Sequence, residues 1–276
     1  MCVDSSSCVQ KGPDRTKPSQ KRYRPRLRSR DKVNGRGHAI LRLNAPWNRC
    51  AVAGSVSRRM PSKRGASERL VERALDALSR ALTESGAPWM VIGGIAVIAR
   101  GVRRFTTDID AAVRGDAIRP ATLLEVFRKH GIVPRIRDAL SFADANLVLL
   151  LRHDKTGVDL DVSFAWSGFE HEALAGRTLA DFGSVRVPMC TAADLVVFKA
   201  IASRPVDWAD AEALLALYPD IDIARARRRV AELSALAEAP HVLEAFDALV
   251  LARKATKAKG SLRPVRRKSK KPRRRP

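Results

Sequence analysis

The chain has 276 residues, 45% of them hydrophobic and 29% charged, and a formal net charge of +23. That length supports a sizeable core in one domain, or one domain with a small second part, and so large a basic excess implies an anionic partner rather than an ordinary metabolic enzyme. No apolar run approaches 18 residues, the first twenty residues lack the apolar centre of a secretory signal, and the cysteines (Cys2, Cys8, Cys50 and Cys190) form no Cys-x-x-Cys pair. A spanning helix, a disulfide scaffold and a zinc ribbon are therefore excluded as expectations, no membrane partner is foreseen, and a reducing cytoplasm is the expected setting.

The charge is segregated along the chain. Residues 1–65 carry 17 Lys and Arg against 3 acids, residues 253–276 carry 13 and none, and the 187 residues between them carry 22 against 26. A slightly acidic body thus sits between two basic arms. The first arm mixes Ser, Pro, Gly, Lys and Arg, most densely over Lys21–Arg30, and has too little apolar area to offset its chain entropy. Disorder is expected for 1–65. Met60, just ahead of the first clear helix, is an alternative start that would leave part of this arm untranslated. The tail, 253–276, has Lys/Arg clusters broken by Pro264, Pro272 and Pro276 and reads as a disordered polycation. Both arms suit sequence-independent contact with nucleic-acid phosphates.

Between them the elements alternate. Ser67–Leu82 has the spacing of an amphipathic helix, with Leu70, Ala74, Leu78 and Leu82 on one stripe, Val71 and Leu75 beside it, Ser67 as its cap and Gly86 at its end. Trp89–Ile92 reads as a short buried strand, broken by Gly93-Gly94, and Ile95–Arg100 as a short apolar helix. A second strand is expected over Asp108–Val113 and a helix over Pro120–His130. Asn146–Arg152 and Val158–Phe164 read as a hairpin around Asp154–Gly157. Phe169–Ala175 is expected to be a short helix and Val185–Pro188 an edge strand. From Thr191, a capping residue, the chain reads as helical to about Leu251. The expected fold is α/β: a small mixed-sheet domain over 66–190, then a helical C-terminal part over 191–252.

Chemistry concentrates on two strands. Asp108 and Asp110 alternate with Ile109, which places the two acids on one face ~7 Å apart. Asp159 and Asp161 share a face in the same way, with Val158, Leu160 and Val162 on the other. Pairing these strands would gather three or four carboxylates, which raise one another's pKa unless a cation neutralises them. Oxygen ligands beside phosphate suit Mg²⁺ or Mn²⁺. Upstream, Gly93 and Gly94 let the backbone approach a phosphate closely, and Arg103, Arg104 and Thr106 could hold further phosphate charge. The five histidines have no zinc-ligand spacing. Trp166 is expected in the core rather than stacked on a base. Asp207 and Asp210 are expected to cap a helix and form salt bridges.

The order Val91-Ile-Gly-Gly, 13 residues, Asp108-Ile-Asp110, then a later strand with an Asp, resembles the polymerase-beta-type nucleotidyltransferase superfamily. The form Arg104-Phe-Thr-Thr-Asp-Ile-Asp110 is most similar to AbiEii-like nucleotidyltransferases, the toxin halves of toxin–antitoxin pairs. The similarity continues through Val158–Ala173, Ala193–Lys199 and Arg204–Asp210, about residues 67–217 in all. It implies Asp108, Asp110 and Asp161 as metal-binding catalytic acids, with Asp161 selected by its eight-residue spacing to Phe169-Glu170. Asp159 is the alternative third acid, since this extra carboxylate departs from the pattern. The resemblance also implies Gly93, Gly94 and Arg104 as contacts for a nucleoside triphosphate, with Lys199 as a phosphate contact from the second part. The expected function is transfer of a nucleoside monophosphate to a hydroxyl, that of a tRNA or other RNA foremost and of a protein as an alternative, with an antitoxin as a further expected partner. An inactive nucleotidyltransferase scaffold that binds nucleic acid is the non-enzymatic alternative.

Overall fold

A computed structural model describes residues 61–261. The expectations for residues 1–60 of the first arm and for a start at Met60 lie outside these residues, as does the tail beyond 261; residues 61–65, expected to be disordered, are helical.

The first helix, α1 (Pro61–Glu84), begins earlier than its spacing suggests. Ser67 lies inside it rather than capping it, and the buried stripe is Val71, Ala74, Leu75, Leu78 and Leu82, while Leu70 is largely exposed. Gly86 adopts a left-handed conformation where the chain leaves the helix. Then come β1 (Trp89–Ile92), α2 (Gly93–Ala99), β2 (Ile109–Arg114), α3 (Pro120–Lys129), β3 (Ile132–Pro134), α4 (Ala139–Asn146), β4 (Val148–His153) and β5 (Val158–Ala165). α5 (Gly168–Ala175), β6 (Thr178–Phe182) and β7 (Val185–Met189) complete the first part. α6 (Ala192–Ala202), α7 (Pro205–Leu217), α8 (Ile223–Leu236) and α9 (Pro240–Ser261) form the second.

The mixed sheet has the order β3-β4-β5-β2-β1-β7-β6. Its centre is the parallel pair β2–β5, in which Ile109 lies beside Leu160, Asp110 beside Asp161 and Val113 beside Phe164. The alternation of side chains decides the rest. Ile109, Ala111, Val113, Leu160, Val162 and Phe164 are buried on one face, so Asp110 and Asp161 must share the other. The expected hairpin forms as β4–β5, antiparallel. β1 is apolar throughout and all four of its residues are buried, as suits a strand paired on both sides, with β2 antiparallel and β7 parallel.

Three elements leave weak signals in the sequence. β3 is three residues long and ends on a proline, α4 has little amphipathic character, and β6 is mostly exposed. Their presence changes two expectations. β7 is not an edge strand, because β6 pairs with its outer side. β3 extends the opposite edge and carries the chain to Arg135, which reaches the acids of β5. The helical part starts where expected, with Thr191 accepting a hydrogen bond from the Asp194 N–H. It does not have a core of its own: one hydrophobic cluster runs from Val71 through the sheet to Phe246 of α9. α9 also continues past residue 253, so the first residues of the expected tail are helical. Among the described residues no helix is long and apolar enough to cross a membrane.

Candidate active site

Gly93 ends β1 and opens α2 with a positive φ of 62°, a conformation that favours glycine. A Cβ there would lie 2.6 Å from Cγ of Asp110, so the backbone is packed directly against the carboxylate. Gly94 is placed likewise against Thr106, whose Oγ1 would be 2.9 Å from a Cβ. The two glycines are therefore required by the acids and by the loop that precedes them. Thr106, expected as a phosphate contact, donates its hydroxyl hydrogen bond to Asp108 and orients that acid.

Asp108 stands exposed just ahead of β2, Asp110 is its second residue, and Asp161 lies beside Asp110 on the neighbouring strand. Adjacent strands are ~4.8 Å apart, so the last two carboxylates face each other at close range. Burial, with the charges of Asp108 and Asp161 added to it, pushes the Asp110 carboxyl up to about 7 against the weaker opposing pull of Lys199 and Arg204. No hydrogen bond from the described residues offsets that burial. Burial also lifts Asp161, to about 6, with Arg135 pulling the other way and the Asp108 and Asp159 charges adding to the rise.

Arg135, one residue beyond β3, carries no signal in the sequence. Its guanidinium spans the two acids of β5, pairing with Asp161 through one nitrogen and with Asp159 at 2.9 Å through another. Arg152 of β4 pairs with Asp159 at 2.7 Å. Asp159 and Asp161 are thus on one face, as the alternation predicts, but they differ in company: Asp161 is next to Asp110, and Asp159 is next to two arginines.

The helical part contributes a buried ionic network. Lys199 Nζ lies 2.8 Å from Asp207 and 3.0 Å from Asp210, and all three side chains are almost fully buried. Arg104 pairs with Asp210, and Arg204 with Asp207 at 2.5 Å. Burial alone would raise Asp207, but Arg204 and Lys199 outweigh it and hold the carboxyl below its ordinary value. Asp207 and Asp210 do form salt bridges, as expected, but as buried anchors for three cations. Arg104 and Lys199, expected to meet phosphate, are here bound to these acids. Arg204 has no role that the sequence alone suggests. Its proximity to Asp108 and Asp110, whose charges act on its own titration, places it in the site.

A cleft partly open to solvent lies between the sheet and the helical part. Gly93, Asp110, Lys199 and Arg204 line it, together with apolar Trp166, Phe169, Phe198, Leu233 and Leu236. Trp166 is 48% exposed at this cleft and not in the core. The backbone at Trp166 and Ser167 is held by a capping box with Glu170 at the start of α5.

The donor set suits a divalent cation in its chemistry: three carboxylates, two of them raised in pKa by burial. Yet among the described residues no three acidic, histidine or cysteine side chains already surround a common point. Two of the three acids are engaged elsewhere, Asp108 with Thr106 and Asp161 with Arg135.

No family model and no curated protein matches the chain. Some solved structures can be superposed on it. ANT(2'')-Ia in complex with adenylyl-2''-tobramycin aligns over 62% of this chain and 98% of its own, at 19% identity and a TM-score of 0.39. An antigenic nucleotidyltransferase-like protein from Paracoccidioides brasiliensis aligns over 64% and 92%, at 14% identity and 0.39. JHP933 from Helicobacter pylori aligns over 74% and 98%, at 12% identity and 0.35. Superpositions this loose assign neither family nor activity, so any functional reading has to be carried by the chain's own residues.

Because the folded-state pKa of Asp110, about 7, exceeds the ordinary 3.8, the folded chain holds a proton that the unfolded chain releases. Stability from this group is therefore present below pH 4 and lost as pH rises towards 7. Asp110→Asn is expected to stabilise the metal-free protein by on the order of 1–3 kcal/mol at pH 8 and to do little at pH 4. Thermal unfolding of both proteins across this range checks it; an equal effect at both pH values would show that Asp110 is not strained by its neighbours.

Proposed function

We propose that the chain is a metal-dependent nucleotidyltransferase that moves a nucleoside monophosphate from a nucleoside triphosphate to an acceptor hydroxyl. The observation that carries this reading is the register of Asp110 beside Asp161, with Gly93 packed against Asp110 at the mouth of a cleft that also receives Arg204. Asp108, Asp110 and Asp161 would hold Mg²⁺ or Mn²⁺, which neutralises charge at the α-phosphate and makes the acceptor hydroxyl easier to deprotonate.

The remaining work belongs to the protein. Arg204 and Lys199 line the cleft and would meet the triphosphate's phosphate oxygens, and Gly93, which leaves room for Asp110, lines it beside them. Asp161 would take the proton of the acceptor hydroxyl, whose oxygen then attacks the α-phosphorus. The bond from that phosphorus to the bridging oxygen breaks, and pyrophosphate leaves. Catalysis of this kind is mainly positioning and charge compensation.

RNA, a tRNA in particular, is the acceptor we favour. The support is the charge: the arms carry a large basic excess while the body between them is slightly acidic, so affinity for a polyanion would reside in the arms. The similarity of Arg104–Asp110 to AbiEii-like sequences supports a role as the toxin of a toxin–antitoxin pair, with a protein antitoxin as partner. One observation favours the second reading, a nucleic-acid-binding protein on an inactive scaffold: Arg135 occupies an oxygen of Asp161 that catalysis would need.

Incubation with each α-labelled triphosphate, Mg²⁺ and total RNA, with products resolved by size, separates the readings and also reveals labelling of protein. The enzymatic reading expects metal-dependent label in RNA. Asp108→Ala and Asp110→Ala should each lower it at least ~10³-fold, and Asp161→Asn should cost far more than Asp159→Asn. Label that survives loss of Asp110, or no label with any triphosphate, would count against it.

The contribution of the arms is checked by titrating RNA affinity against salt. The whole chain should show log affinity falling linearly with log salt, at about 0.7 per phosphate contact. A chain lacking 1–60 and 262–276 should lose most of that slope; superimposable slopes would remove the arms from RNA binding.

A further inference from the structure

The sheet register places one cation, Arg135, on Asp161 and on a second acid, Asp159, two residues before it. Residue 135 continues β3 past Pro134, and its N–H donates to the Leu150 carbonyl at 3.0 Å, so the backbone is fixed to β4. Leu150 in turn lies beside Asp161, and Arg152 beside Asp159. Arg135 therefore reaches across β4 from the sheet edge and lands on both acids of β5, one nitrogen to each. Its remaining donor, Nε, is buried without a partner, so the guanidinium is incompletely satisfied in this pose. Asp161 is at once the neighbour of Asp110 and the partner of this arginine. A divalent cation among Asp108, Asp110 and Asp161 and a guanidinium on Asp161 compete for the same carboxylate.

Resting on the metal-dependent reading above, we propose that Arg135 is a displaceable counter-ion of Asp161 and that Asp159 is the acid that retains it when metal arrives. Without metal, Arg135 neutralises the third acid and limits repulsion within the cluster. With metal, the guanidinium withdraws from Asp161 and stays paired with Asp159, two residues along the same face, so no buried charge is stranded. This gives the extra acid a function: Asp159 is a positioning residue that acts through Arg135. It also accounts for carboxylates that share a face but do not yet surround one point.

The test is Mn²⁺ affinity of the full chain without nucleotide, read from the electron paramagnetic resonance signal of free Mn²⁺. Asp161→Asn should weaken binding strongly. Arg135→Gln should tighten it by about tenfold, since the competitor is gone, and Asp159→Asn should weaken it by about fivefold, since the competitor has nowhere to go. Two distant charges acting independently would give the same signs, so the double variant decides. The exchange predicts that Asp159→Asn changes affinity less than about twofold once Arg135 is Gln. Independent charges predict that the two effects multiply and largely cancel, which would overturn the proposal, as would an Arg135→Gln chain that binds no more tightly. Should Arg135→Gln fail to fold, Arg135→Lys, which cannot span both acids, should tighten binding to a smaller degree and reduce the effect of Asp159→Asn; an undiminished effect would overturn the proposal. Wild-type protein that binds no Mn²⁺, or binds it independently of Asp161, would overturn the metal reading itself, whereas Asp161-dependent binding with cancelling single effects would overturn the exchange alone.

Discussion

Two carboxylates cannot be set side by side on buried strands without a cost, and the rest of this site is arranged around that cost. The register that puts Asp110 next to Asp161 is enforced by the opposite face, where Ile109, Val113, Leu160 and Val162 fill the core. A slip of one residue would bury the acids in that core and expose the apolar set. The acids are therefore locked together by hydrophobic packing, and their burial, with neighbouring carboxylates adding to it, raises the pKa of each. Gly93 follows from the same geometry, since a side chain there would collide with Asp110.

The cations around the cluster have different degrees of freedom. Lys199 is tied to two buried acids, and breaking such a network would leave charges unpaired in a poor solvent for them. Its acids, Asp207 and Asp210, also hold Arg204 and Arg104, which connects the loop before β2 to α7 and fixes the helical part against the sheet. This network is a scaffold that sets the position of the positive charge facing the cleft. Arg135 reaches from the sheet edge to two acids of β5 that keep more exposure than Asp207 and Asp210.

Much of this was legible from the residues alone. Alternation over Asp108–Asp110 and Val158–Val162 was enough to place Asp110, Asp159 and Asp161 on strands and on a common face, although Asp108 falls just ahead of its strand, and Gly93-Gly94 marked a close approach of backbone. Helix boundaries fared less well: α1 starts ahead of Ser67, and of its expected stripe Leu70 alone is exposed while Ala74, Leu78 and Leu82 are buried with Val71 and Leu75 beside them. Arg135 was invisible because its partners lie 24 and 26 residues away and its strand is three residues long, which leaves no periodic signal. Lys199 could be singled out, but that Asp207 and Asp210 would enclose it depends on how α6 and α7 pack, and helical spacing alone does not set that. Trp166 was misplaced because an aromatic after a buried strand usually continues the core, whereas here the capping box at Ser167 turns the chain first.

If burial and the neighbouring charges hold a proton on Asp110, a metal ion bound there must release it. Calorimetric titration of Mn²⁺ into the metal-free chain, in two buffers of different ionisation enthalpy, measures this directly. Near pH 6.5 the account predicts roughly one proton released per Mn²⁺ bound, declining towards none above pH 9, because Asp110 is mostly protonated at the lower pH and ionised at the higher. Heats that do not depend on the buffer at pH 6.5, with binding intact, would mean the acids are already ionised and would contradict the account at its base.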